Sequence, residues 1–148
     1  MKKLLVVAVV LSFIAGMAAA PASRRYINLP AKANAPKLPF SDAVMVGDAL
    51  YLSGHIGLDP TTGKLPADID QEARNLLDHY ATVLKEGGMT MDDLVSIQVF
   101  CPDLSLYDRF NAAYRVRFSK DFPARAFIGS GPLLHGGHFE MMGIAVKR

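Results

Sequence analysis

The chain has 148 residues, 51% of them hydrophobic, with 16 basic and 14 acidic side chains and one cysteine. This near-balance of charge argues against a general phosphate-backbone binder, which normally carries a basic stripe, and no Lys/Arg cluster here is longer than a pair. A single cysteine excludes an internal disulfide, so packing must hold the fold, and Cys101 in its apolar run reads as a small buried hydrophobe.

The chain opens with Lys2 and Lys3, an apolar run over residues 4–16, and the small residues of MAAAPA at 17–22. That order predicts a secretory signal peptide over 1–22 and one mature domain over 23–148. An uncleaved N-terminal anchor is the alternative; cleavage would leave no stable membrane anchor and a periplasmic protein. Without the two leader lysines the sixteen basic residues become fourteen, equal to the acidic count.

Residues 23–37 read as an extended lead-in with one short strand at RRYINL. AVMV, then Gly47-Asp48, then ALYLSG predicts a hairpin, because Gly-Asp suits a primed two-residue turn. HIGLDPTTGKLP reads as a loop. A helix then starts at Asp68, with Gln71 three residues on completing a capping-box pattern. It carries Ala73, Leu76, Leu77, Tyr80, Val83 and Leu84 as its apolar stripe and ends at Gly87-Gly88. LVSIQVF alternates Val95, Ile97 and Val99 against Ser96 and Gln98, the period of a strand with two unlike faces. Ser105 and Asp108 are expected to cap a second helix bearing Phe110, Ala113, Tyr114 and Phe118. Strands from about Ala124 and over residues 139–146 close the chain. The order predicts an α+β domain with a mixed sheet and helices on one face, whose other, apolar face is left for association.

Two charges stand out. Arg125 lies among apolar residues in FPARAFIGSG, and Glu140 is the only charge on FEMMGIAV. A guanidinium inside a fold needs an anionic partner. Either the two residues neutralise each other or they line a cleft that admits a polar ligand. His135, His138 and Glu140 in HGGHFE offer metal-type ligands on a flexible Gly-Gly link, and read more simply as a loop with incidental histidines. His79 reads as a surface or half-buried helix residue. Ser53 has no matched base near it in sequence, and GLDPTTGK lacks the spacing of a phosphate loop.

In order and spacing, PFSDAVMVGDALYLSGHIGLDPTTGKLP, KEGGMTMDDLVSIQVF, YDRFNAAYRVRF, FPARAF and FEMMGIAV together resemble the RidA (YjgF) family. The resemblance implies a chorismate-mutase-like fold and a homotrimer with the sheets packed into a central barrel. It places sites between subunits that hydrolyse 2-imino acids to 2-oxo acids and ammonia. Arg125 would anchor the substrate carboxylate through two parallel charge-assisted hydrogen bonds. Glu140, with the backbone carbonyl of Phe127, would orient water. Phe40, Ser53, Gly54 and Asn111 match substrate-binding positions, and no metal or organic cofactor is implied. The partner is a small 2-imino or 2-oxo acid, with no nucleic acid.

Several positions depart from the family pattern. Phe40 stands where a tyrosine is usual, Ala126-Phe127 replaces Ser-Cys, the run Gly129-Ser130-Gly131-Pro132 replaces a more regular strand ending, and Met142 replaces a second acid. The alternatives are a trimer that binds small carboxylates without turning them over, and an RNA-cleaving reading attached to the family, against which balanced charge and export both speak.

Overall fold

The computed structural model describes residues 23–30 and 38–148; the expected signal peptide at 1–22 lies outside them. Six strands form one sheet: β1 (Arg24–Ile27), β2 (Ala43–Val46), β3 (Ala49–Ile56), β4 (Leu94–Cys101), β5 (Ala124–Gly129) and β6 (Glu140–Val146). Two helices accompany them, α1 (Ile69–Glu86) and α2 (Tyr107–Arg115). The spatial order is β1-β2-β3-β6-β4-β5. Every neighbouring pair is antiparallel except β4 and β5, which α2 joins in parallel. This is the mixed α+β sheet expected from the sequence.

The β2–β3 hairpin forms as expected, with Gly47 supplying the positive φ of 58° that its turn requires. Strand β3 runs on through His55 and Ile56, so the loop starts at Gly57 rather than at His55. In α1 the Asp68 side chain accepts from the Asp70 N–H, but Gln71 does not close a capping box; it bonds Arg74 and Asn75 instead. The second helix is entered differently from the expectation. Asp103, not Ser105, supplies the capping carboxylate, on a short 3-10 turn (Leu104–Leu106) that leads into α2. Phe118 lies beyond the end of α2 and still packs on Tyr114, ring centroids 4.7 Å apart. In β4 a register shift between Leu94 and Ser96 puts Leu94 in the core and leaves Val95 exposed, which corrects the simple alternation.

One sheet face packs Leu50, Leu52, Ile97, Val99, Cys101 and Met141 against Ala73, Leu76, Leu77, Tyr80, Val83 and Leu84 of α1 and against Phe110 of α2. Cys101 is buried there. On the opposite face no helix of the described residues lies over Tyr51, Gln98, Met142 and Ile144, which β-pairing brings side by side. Tyr51 is 49% exposed and Met142 41%. That apolar patch is what residues on one side of a sheet look like when nothing in the same chain covers them.

Candidate active site

Arg125 follows from its register. On β5 it stands opposite Ile97 of β4, so its side chain points to the helix-covered face and runs under α2. There its Nη2 donates to Asn111 Oδ1 at 2.7 Å. Its guanidinium carbon lies 4.5 Å from the Tyr114 ring centroid, 5.7 Å from Tyr107 and 5.8 Å from Phe127. Rings at these distances attract a cation through their quadrupoles but do not neutralise it. Among the described residues, two buried side-chain polar atoms have no hydrogen-bond partner, Arg125 Nη1 and Tyr114 Oη. Both belong to the same groove of about 390 Å³, which also includes Tyr107, Asn111 and Arg115. Burial pushes the Tyr114 phenol up to about 12 against the opposing pull of Arg125, so it stays a donor at neutral pH. The Tyr107 phenol is held below its ordinary value, first by a hydrogen bond with Asn111 and then by the Arg125 charge. The groove therefore presents donors and cations, and among the described residues none that lines it is acidic.

Glu140 opens β6 two strands away, between Ile56 of β3 and Phe100 of β4. It alternates with the core residue Met141 and so faces away from Arg125. Among the described residues no ion pair joins the two. This settles against the internal pair that the sequence had left open. The Glu140 carboxylate rests where a side chain at position 54 would stand, since a Cβ on Gly54 would overlap Glu140 Oε1. Gly54 therefore serves the placement of Glu140. Behind it, the Tyr80 hydroxyl shares its proton between the carbonyls of Ser53, at 2.8 Å, and Met141, pinning the irregular β3–β6 register beside Glu140. Burial, reinforced by the Glu140 charge, raises the Tyr80 phenol, which keeps it protonated.

Sequence reasoning missed Glu72. It is fully buried in α1, yet it is an acid. One oxygen accepts from the N–H groups of His138 (2.7 Å) and Phe139 (3.1 Å), and the other meets His138 Nδ1 at 2.7 Å. It thus ties down the loop that delivers Glu140. The signal was present: positions 72, 76 and 80 share one helix face at i, i+4 and i+8 spacing, so Glu72 lies in line with the apolar stripe.

The remaining expected residues fall elsewhere. Phe40 and Ser53 line an open cleft together with Tyr26 and Val44, at the β1–β2 end of the sheet. Asn111 stands with Arg125, Gly54 with Glu140, and Ser53 touches both the Glu140 region and the Phe40 cleft. One chain therefore holds the expected site in separate pieces, at the β5 edge, the β3–β6 seam and the β1–β2 end of the sheet.

Next to Ser53 on β3, His55 stacks on His79 of α1 with ring centroids 3.4 Å apart. Burial and then the charge of His55 lower His79 to about 3, and burial lowers His55 against the pull of Asp42. Both rings are neutral in the folded chain at neutral pH, whereas in the unfolded chain they protonate near 6.5. The unfolded state then binds more protons as the pH drops below 6.5, so this contribution to stability is full above that value and is lost as pH falls from 6.5 toward 3. The urea midpoint is expected to fall between about pH 7.5 and about pH 5, and His79→Gln to flatten that fall. An equally steep fall in the variant would contradict the assignment.

Comparison with known proteins agrees with this fold. The Endoribonuclease L-PSP family profile matches residues 31–147. A 2-iminobutanoate/2-iminopropanoate deaminase of Bos taurus is 36% identical over 124 residues, which is 83% of this chain and 90% of the bovine protein. The crystal structure of the YjgF gene product of E. coli superposes with a TM-score of 0.71 at 33% identity, covering 74% of this chain and 89% of that one. E. coli TdcF with bound serine superposes with a TM-score of 0.76 at 26% identity, covering 84% of this chain and all of that one.

Proposed function

Because the chain belongs to the Endoribonuclease L-PSP (RidA/YjgF) family, we propose that it hydrolyses 2-imino acids to 2-oxo acids and ammonia. The single observation that carries this reading is the Arg125 guanidinium, fixed by Asn111 on one side and left with a buried, unpartnered Nη1 on the other. A substrate carboxylate supplies the missing acceptor and the missing charge. Relatives support it too: the bovine relative is a deaminase of such imines, and TdcF holds serine, which also carries a carboxylate. Anchored in this way, the imine carbon is presented to a water that Glu140 and the Phe127 carbonyl orient. Water adds across C=N to give a carbinolamine, and transfer of its hydroxyl proton to nitrogen breaks the C–N bond, forming the 2-oxo acid and releasing ammonia.

A complete site needs a second copy. Arg125 with Asn111 and Glu140 with Gly54 lie on different faces, and Phe40 with Ser53 lies at the other end of the sheet. Association through the open face, as a homotrimer with a central barrel, brings pieces from neighbouring subunits together. Met142→Asp places a charge in the middle of that face and is expected to convert the trimer to monomers, read by light scattering, with loss of activity. A fully active monomer would contradict shared sites, and a variant that stays trimeric would contradict the open face as the interface.

The basic, apolar, small-residue order of residues 1–22 supports export to the periplasm. The balanced charge of the mature chain favours a small anion over RNA as ligand. The activity is tested by adding the protein to an amino-acid oxidase reaction and following the release of 2-oxo acid and ammonia.

A further inference from the structure

We infer that the Arg125 groove selects 2-imino acids bearing a planar aromatic side chain over the small aliphatic ones, an inference that rests on the carboxylate-anchoring role of Arg125. The groove has about 390 Å³ of space, ample for a substrate larger than a three- or four-carbon imino acid. Its rim carries two large exposed rings, Tyr107 at 44% and Phe122 at 57% exposure. Exposed aromatic side chains beside a guanidinium with one unpartnered nitrogen are the elements that recognise an aryl group and a carboxylate in one molecule.

The rings are also held in place. Phe127 meets Tyr107 edge-on, with centroids 5.0 Å apart and planes at 86°. Phe122 lies roughly parallel to Tyr114 at 6.1 Å and meets Phe118 edge-on at 5.5 Å. Each rim ring is thus braced by a neighbour and stays partly exposed, so an incoming aryl group finds a preset surface rather than having to order one. Among the described residues, Arg125 and Arg115 are the only charged ones lining this groove, and Arg115 stands at the exposed rim, where water screens it. A second substrate carboxylate therefore gains little there, and the apolar surface decides the preference.

Binding and turnover are measured separately. By calorimetry, phenylpyruvate is expected to bind at least about tenfold more tightly than pyruvate, and 2-oxoglutarate no more tightly than pyruvate. Phe122→Ala and Tyr107→Ala are each expected to shrink the phenylpyruvate-to-pyruvate ratio severalfold. Equal affinities, a preference for 2-oxoglutarate, or an unchanged ratio in both variants overturns the inference. Binding of none of the three overturns it together with the carboxylate anchor. In the oxidase-coupled assay the imine of phenylalanine is expected to be hydrolysed with a higher kcat/KM than that of alanine. Absence of acceleration on every imine, with phenylpyruvate still bound preferentially, removes the hydrolase reading and leaves the groove's selectivity standing.

Discussion

Arg125→Ala is expected to lower kcat/KM for 2-imino acid hydrolysis by about 100- to 1000-fold while leaving the fold intact. Each charge-assisted hydrogen bond from a guanidinium to a carboxylate is worth about 1.5–3 kcal/mol. Two in parallel, sharing one planar geometry, total about 3–4 kcal/mol, and each 1.4 kcal/mol is about a factor of ten. The loss should show in kcat as well as in KM, because the same contact aims the imine carbon at the water. Arg125→Lys keeps the charge but loses the fork, and should recover only about a tenth of the activity or less. Stability should change little, since the guanidinium is hydrogen-bonded to Asn111 through Nη2 and has no partner at Nη1. A variant that folds and keeps wild-type kcat/KM would take the carboxylate anchor away from Arg125.

The largest stability effect is expected at Glu72. Glu72→Ala removes the acceptor for two backbone N–H groups and for the His138 ring, and opens a void in a fully buried position. Leaving two buried donors unsatisfied, with the void, costs about 3–5 kcal/mol. Glu72→Gln keeps one oxygen for the N–H groups and should lose roughly half of that. The helix around it leaves no room for relaxation, because Gly57 packs directly on the Glu72 backbone. Since Phe139 immediately precedes Glu140, activity should fall in both variants beyond what their unfolded fraction explains. The urea midpoint and the activity per folded molecule measure the two effects separately. A Glu72→Ala protein with an unchanged midpoint would mean that the loop before β6 is held by something else.

Much of the fold was legible in local pattern. The Gly47-Asp48 hairpin and the α1 stripe are dictated by neighbours within a few residues, and each formed where those rules put it. What local pattern could not show depends on partners far along the chain. Glu72 lies in line with the α1 stripe, but the groups that bind its carboxylate, at residues 138 and 139, arrive 66 and 67 positions later. Val95 reads as core until β6 imposes the register shift that hands its place to Leu94. Arg125 and Glu140 each stand out as a lone charge on an apolar strand, yet their faces depend on strand pairing, which placed them apart rather than together. Asn111 reads as a surface amide and is buried against Arg125, because α2 crosses over β5 at that point.

The most direct measurement is the competition between hydrolysis and trapping of an oxidase-generated 2-imino acid in semicarbazide. With wild-type protein, 2-oxo acid and ammonia should form faster and semicarbazone should fall in proportion to protein concentration, while Arg125→Ala leaves both at the level of buffer alone. Identical semicarbazone formation with wild-type protein, with Arg125→Ala and with buffer, across alanine- and phenylalanine-derived imines, would contradict imine hydrolysis as the function of this chain.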